Sequence, residues 1–343
     1  MLNGRNIFLF GGLLILLFIC FLADLFLGSV HIPARDLLGI LFTGRSDPAE
    51  WITIVHDFRI PRAVTAVCGG LSLSLAGLQM QTLFRNPLAG PYVLGISSGA
   101  SLGVALLVMG AHILFPFMEV RFRTWGIIAA AWIGSGMIMV LILLVSFRIK
   151  DIMTILILGI LFGSITIAFV SILQYFSREA LLKTFIIWTL GSLGNVTRQQ
   201  LPVLAGSLSA GILLSALSIK ILNAMLLGEN YARSMGINVL TGRILLFLST
   251  SILAGTVTAF CGPIGFIGIA VPHVARLLWK SADHRILIPG VMLTGAIVLL
   301  LSDVVSQLPG SEKLLPINSV TALIGIPVVI WIVLRNQRFA NLS

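Results

Sequence analysis

The sequence predicts an all-α protein that crosses a lipid bilayer with about ten helices, built as one transmembrane domain over residues 1–343. Of the 343 residues, 58% are hydrophobic and only 10% are charged, against about 25% charged in soluble domains. The mean hydropathy is +1.08, and apolar stretches of about 20 residues, the length that spans a bilayer, recur along the chain. A soluble fold could not keep this much apolar surface from water, so a secreted enzyme and a disordered chain are excluded.

Ten apolar segments are predicted to cross the membrane, and the eighth is short and interrupted by glycine and proline. Such a broken segment is tolerated where neighbouring protein covers its backbone. In chain order the segments are Ile7–Leu27, Ala63–Phe84, Tyr92–Met109, Trp125–Phe147, Ile152–Phe176, Leu201–Leu222, Arg243–Cys261, Phe266–Trp279, Ile286–Gln307 and Pro316–Leu334.

The charge of the chain indicates its orientation and not a nucleic-acid partner. The formal net charge is +10, but the 22 Lys and Arg residues are spread singly and form no patch. An even number of spans puts both termini on one side, and loops that would then be cytoplasmic hold most of the excess positive charge. Because positive residues favour cytoplasmic loops, both termini are predicted to be cytoplasmic.

Ionisable groups are scarce inside the predicted spans. Asp303 is the clearest, and we expect it to be a hydrogen-bonded structural residue. Asp24 lies at a span end, from which its side chain is expected to reach the interface. Ion-coupled secondary carriers, which also use about ten spans and broken helices, need acidic groups near the midplane. The composition therefore disfavours such a carrier.

The chain shows no pattern typical of an enzyme or of a metal site. No paired carboxylates and no H-E-x-x-H motif are present, which disfavours an intramembrane enzyme. The phosphate-binding motif G-x-x-x-x-G-K-[ST] is also missing, so any ATP hydrolysis would belong to another chain. No catalytic residue, metal ligand or resident cofactor is predicted. The three cysteines lie in apolar runs and are predicted to be core thiols.

Three features outside or between the spans suggest function. Arg85–Pro91 is a short loop stiffened by two prolines, which suits a gate or a docking surface. Residues 223–240 form the longest predicted cytoplasmic connection, with amphipathic helical character over Leu226–Met235 that a partner could bind. Arg59 and Arg62, three residues apart, could pair with carboxylates of an external partner or anchor to lipid headgroups.

These residues together resemble the FecCD-type permease family, whose members import iron-siderophores, haem and vitamin B12. The resemblance covers nearly the whole chain in order. It is carried by RIPR at 59–62, LAGLQMQTLFRNPLAGPYVLGISSGASLG at 75–103, LGENYARSMGI at 227–237, GFIGIAVPHVARLL at 265–278 and the LP…TALIGIP pattern at 315–327.

The resemblance implies a type II ABC importer permease in the bacterial inner membrane. It implies a homodimer with two cytoplasmic ATP-binding subunits, which hold ATP and Mg, and an external substrate-binding protein. The 223–240 segment would couple to the ATPase, the binding protein would dock on Arg59 and Arg62, and Asn86 and Leu88 would form a cytoplasmic gate. The residues implied for coupling are Leu227, Gly228, Glu229, Ala232, Met235 and Gly236.

The cargo is left open between classes. Gln307 stands where vitamin B12 permeases have an outward arginine, which favours an iron chelate or haem over cobalamin. Three further departures from the family pattern are Gly90, Leu314 and Asn318. The expected function is import of an iron chelate by alternating access, with cobalamin import and an ion-coupled carrier as alternatives.

Overall fold

The structure, a computed structural model, describes residues 4–28, 30–44, 48–110, 124–308 and 314–340; side chains at 332–333 and 335–340 are not described. The described residues form helices and no strand, as the composition predicts. Among them, six helices are long and apolar enough to cross a membrane, or seven if one bent pair counts as a single span, and three shorter apolar helices accompany them. The figure of about ten crossing helices stays a prediction.

The chain divides into two compact units. The first comprises residues 1–74, 192–205 and 264–343, and the second comprises residues 75–191 and 206–263. The helices of the first unit are α1 (Gly4–Phe26), α2 (Ala34–Thr43), the larger part of α3 (Glu50–Leu83), α12 (Ile267–Trp279), α13 (His284–Ser306) and α14 (Ile317–Ala340).

Helix α3 begins at Glu50, well before the predicted start at Ala63. Its early turns carry charged residues, so hydropathy alone did not include them. A π-helical turn at Ile54–Arg59 lies just before Pro61, whose missing N–H interrupts regular α-helical hydrogen bonding. The predicted loop that carries Arg59 and Arg62 is therefore helical.

Close backbone contacts hold the first unit together. A Cβ added at Gly70 of α3 would lie 2.2 Å from the carbonyl oxygen of Gly295 in α13, so only glycine fits there. Arg5 of α1 donates through Nη2 to the carbonyl oxygens of Leu278 and Trp279, each at 3.1 Å, at the end of α12. These contacts join α3 to α13 and α1 to α12, and α13 also packs against α1 and α12.

The second unit contains the end of α3 and most of α8, together with the helices between and after them. Its helices are α4 (Ile96–Gly110), α5 (Thr124–Arg148), α6 (Ile152–Tyr175), α7 (Glu179–Thr189), α8 (Leu201–Leu217), α9 (Ile219–Met225), α10 (Glu229–Ser234) and α11 (Val239–Cys261).

A glycine stripe on and just before α4 packs directly against neighbouring backbone. A Cβ at Gly99 would lie 2.5 Å from the Gly134 carbonyl oxygen of α5, and one at Gly103 would lie 2.0 Å from the Ala130 carbonyl oxygen. Glycines at 95, 99 and 103 recur every four residues, a pattern that predicts a smooth helix face for close packing, and these contacts confirm the prediction.

Two predicted helices are interrupted in the structure. The predicted span Leu201–Leu222 is divided into α8 and α9, which meet at an angle of 54°. The amphipathic stretch predicted over Leu226–Met235 is also split, because Gly228 has φ +104° and only α10 follows it. Glycine tolerates that backbone conformation and breaks the helix there.

Candidate coupling and docking sites

The 223–240 segment, here called the coupling segment, folds as the end of α9, a turn, the short helix α10 and the start of α11. Ala232 of α10 is fully buried, whereas Leu227, Tyr231 and Met235 are 64%, 48% and 60% exposed. Tyr231 and Met235 are four positions apart, which places them on one side of α10 and its end, and Leu227 is exposed just before the turn at Gly228. We call these three exposed residues the apolar ridge.

Glu229 and Arg243 anchor the opposite side of α10. The guanidinium of Arg243, at the start of α11, donates to Glu229 Oε1 from Nε at 2.8 Å and from Nη2 at 2.6 Å. Nη2 also lies 2.6 Å from Oε2. Arg243 is 2% exposed, so this charge-assisted contact is shielded from solvent and stronger than a surface pair.

Arg243 also binds the connection between α5 and α6. Nη1 donates to the carbonyl oxygen of Ile149 at 3.4 Å, and Nη2 donates to that of Lys150. One buried side chain thus contacts both the coupling segment and the α5–α6 connection. A cavity of about 340 Å³ lies beside it, with Ser146, Lys150, Arg233 and Asn238 among its lining residues.

Helix α6 begins at this connection with a well-formed cap. The Asp151 carboxylate accepts hydrogen bonds from the Thr154 hydroxyl at 2.6 Å, the Thr154 backbone N–H at 2.9 Å and the Met153 N–H at 3.4 Å. These bonds stabilise the ionised form, the Thr154 hydroxyl most, and hold the pKa of Asp151 below its ordinary value. The first turn of α6 is therefore tied to the connection that Arg243 holds.

The predicted gate residues Asn86 and Leu88 lie in a tight turn. Asn86 Oδ1 accepts the backbone N–H of Leu88 at 2.9 Å, a local bond that favours turns over helix. Leu88 is 45% exposed. Arg85, before the turn, has φ +47°, and a Cβ added at Gly228 would lie 3.4 Å from Arg85 Nη1. The predicted gate loop and the coupling segment are thus adjacent, although their gating and coupling roles stay predictions.

The predicted docking residue Arg62 takes part in a buried ion pair within the first unit. Its Nε and Nη2 donate to the two carboxylate oxygens of Asp303 at 2.7 and 2.8 Å. Asp303 is fully buried, so its expected role as a hydrogen-bonded structural residue is confirmed. Gln307 donates to Asp24 at 2.8 Å and to Asp303 at 3.3 Å. Asp24 is 2% exposed, so the expectation that it reaches the interface is wrong. The hydrogen bond from the Gln307 side-chain amide holds the Asp24 carboxylate inside the protein.

Arg59, the second predicted docking residue, is 7% exposed. It donates to the carbonyl oxygens of Leu25 at 2.6 Å, Phe26 at 3.3 Å and Val30, at and beyond the end of α1. Both arginines line a cavity of about 370 Å³ together with Gln307. The structure thus gives both arginines intramolecular partners, and docking on them stays a prediction.

Comparison with known proteins decides the family. A family model described as the FecCD transport family matches residues 15–335. The chain belongs to the FecCD transport family. This FecCD permease is accordingly a multi-pass protein of the bacterial inner membrane and a subunit of an ABC importer, a class in which a partner chain hydrolyses ATP.

Individual relatives of the FecCD permease match it along most of its length. The hemin transport system permease protein HmuU of Yersinia pestis is 35% identical over 339 residues, which are 98% of each chain. The vitamin B12 import system permease protein BtuC of Salmonella typhi is 35% identical over 296 residues, which are 85% of this chain and 88% of that one. A solved structure of a metal-chelate type ABC transporter in an inward-facing conformation is 28% identical, covers 96% of this chain and 99% of its own, and has a TM-score of 0.79.

Sequence reasoning missed two residues of the FecCD permease that the structure places at these sites. Tyr231 completes the apolar ridge, and its four-residue spacing from Leu227 and Met235 was a readable signal. Arg243 lies 14 residues from Glu229 and in a different helix, so no pattern within a single helix pointed to their pairing. Within the described residues no cluster of three or more His, Cys, Asp or Glu side chains could hold a metal ion.

Proposed function

We propose that this chain works as a homodimeric permease that moves an iron chelate, a siderophore or haem, into the cytoplasm by alternating access. Two ATP-binding subunits bind the coupling segments, and a substrate-binding protein docks outside at Arg59 and Arg62. ATP-driven closure of the ATPases shifts the coupling segments and changes which end of the path is open. No covalent chemistry occurs in this chain.

The observation that supports this proposal most is the two-sided construction of α10. Its apolar ridge groups three exposed apolar side chains on a polar connection, and grouped exposed apolar side chains are typical of protein-interaction sites. Its other side is fixed by the Glu229–Arg243 pair. An anchored helix with an exposed apolar ridge suits helix-in-groove recognition by a partner.

Substitutions at two tyrosines test whether the apolar ridge binds an ATP-binding subunit. Tyr231 of the apolar ridge and Tyr175 at the end of α6 are 48% and 82% exposed. The tagged chain is extracted gently from its native membrane, and the proteins that co-purify are identified by mass spectrometry. We expect a stoichiometric ATP-binding subunit with the parent chain and with Tyr175→Glu, and its loss with Tyr231→Glu. Full retention with Tyr231→Glu would exclude the ridge as the docking surface.

The proposed docking of a binding protein rests on the cavity lined by Arg59 and Arg62. Arg62 uses Nε and Nη2 for Asp303, while Nη1 lies near Gly194, another residue of the cavity wall. A carboxylate of the binding protein could therefore approach Nη1. Because Arg62→Gln also removes the ion-pair partner of buried Asp303, docking is measured on variant protein that remains folded. Docking should weaken more at low salt than at high salt, because salt screens exposed charges. If Arg62→Gln docks as tightly as the parent chain at both salt concentrations, Arg62 is not part of the interface.

The proposed cargo rests on Gln307. Glutamine carries no charge, and its side-chain amide donates hydrogen bonds to Asp24 and Asp303. HmuU, the hemin permease, matches over 98% of both chains, while the BtuC permeases of Salmonella typhi and Klebsiella pneumoniae match over 85% and 95% of this chain. The haem or siderophore assignment is preferred, with cobalamin as the alternative.

A further inference from the structure

We propose that Arg243 is the positioning residue through which the coupling segment moves the first turn of α6. This inference rests on the proposed function, because it assumes that an ATPase displaces α10. Arg243 would not touch the ATPase or the cargo. It would link the displaced helix to the helix that begins after the α5–α6 connection.

The first step is the set of contacts that Arg243 makes with different segments. Its guanidinium binds the Glu229 carboxylate of α10 and the carbonyl oxygens of Ile149 and Lys150. Both partners precede Arg243 in the chain, Glu229 by 14 residues and Ile149 by more than 90. Because the donors belong to one rigid planar group, α10 and the α5–α6 connection are held in a fixed relation.

The second step is the shielding of that group from water. Arg243 is 2% exposed, and a buried guanidinium left without acceptors is strongly unfavourable. When α10 is displaced, Arg243 therefore follows Glu229 and takes the carbonyl oxygens with it. Arginine suits this role because its fork of N–H groups reaches a carboxylate and two carbonyls together, whereas a lysine ammonium is a single nitrogen.

The third step leads from the connection to the gate loop. The Asp151 cap starts α6 one residue after Lys150. Further along α6, a Cβ added at Gly159 would lie 3.1 Å from Leu94 Cα and 3.2 Å from the Val93 carbonyl oxygen. Close backbone packing transmits displacement because packed interfaces deform little. A shift of α6 would thus reach the residues that follow the gate loop.

Hydrogen–deuterium exchange of the full chain in detergent, measured by mass spectrometry, tests the link between α10 and the α5–α6 connection without an attached probe. Arg243→Gln should raise exchange about threefold or more both in residues 229–237 and in residues 149–155, because it removes the donors for both. Glu229→Gln should raise exchange only in residues 229–237, since Arg243 keeps its carbonyl contacts. Arg148→Gln, an exposed neighbour at the end of α5, should change neither segment.

The outcomes separate this inference from the proposed function. Unchanged exchange at 149–155 in a folded Arg243→Gln chain overturns the inference. It would mean that the hydrogen bonds from Arg243 to the two carbonyl oxygens do not stabilise this connection. If Arg243→Gln does not fold, Arg243→Lys takes its place, with 149–155 as the segment that decides.

A second measurement uses the complex with its co-purified ATPase, with ATP added to parent and variant. The parent should show an ATP-dependent change at 149–155 that Arg243→Gln loses while the ATPase stays bound. A change that persists in the variant overturns the inference alone, whereas a parent that binds no ATPase overturns the proposed function.

Discussion

Replacement of Gly134 by alanine should disrupt the packing of α4 on α5, while the same change at Gly136, two residues away, should not. A Cβ at Gly134 would lie 2.1 Å from the Gly99 carbonyl oxygen and 3.0 Å from the Gly103 nitrogen. Ordinary contact begins near 3.4 Å, so α4 would have to retreat by about 1.3 Å. Overpacking of this kind costs about 1–3 kcal/mol.

Gly136 provides the matched control, since an added Cβ would meet nothing within 4 Å. Alanine is favoured over glycine in helices by up to about 1 kcal/mol, so Gly136→Ala should be neutral or slightly stabilising. The assay is thermal unfolding in detergent, followed by tryptophan fluorescence at one fixed scan rate. Gly134→Ala should lower the transition by several degrees. Equal transitions for the two variants would refute the close contact of α4 and α5.

Two further predictions concern the coupling segment and the arginine cavity. Gly228→Ala places a side chain at φ +104°, a backbone strain that costs about 1–3 kcal/mol. This variant should reduce the amount of ATP-binding subunit recovered with the chain. The control Gly206→Ala, which adds a side chain in open space, should not reduce it. Equal recovery would show that this turn does not position α10. Asp303→Asn leaves the Arg62 charge without its buried partner and should destabilise the chain by about 3–5 kcal/mol in thermal unfolding, while exposed Asp57→Asn should stay within about 0.5 kcal/mol. Equal effects would mean that the Arg62–Asp303 pair is not buried.

Periodicity and hydropathy predicted the features that depend on local sequence. The apolar runs identified the long helices, because each run must be shielded from water along its whole length, either inside the protein or against lipid. The stripe of Gly95, Gly99 and Gly103 predicted close helix packing, and the structure places backbone of neighbouring helices against it. The order of the quoted motifs predicted the family that the comparison established.

Features that depend on distant residues were beyond sequence reasoning. Arg59 and Arg62 were interpreted as loop residues because charge normally marks a span end. Asp303 lies 241 residues from Arg62, and the carbonyl oxygens that Arg59 binds become available only where α1 ends. The charges are therefore satisfied inside the protein, which allows the helix to start at Glu50.

The most direct test of the account is ATP-dependent uptake by the co-purified complex in proteoliposomes. Labelled haemin, a ferric siderophore or cobalamin, each presented with the binding protein, is supplied outside, and ATP or ADP is enclosed on the ATPase side. We predict accumulation of haemin or the siderophore with ATP only, and its loss in Tyr231→Glu but not in Tyr175→Glu. Uptake that proceeds with ADP and follows a proton gradient would contradict the account and indicate an ion-coupled carrier.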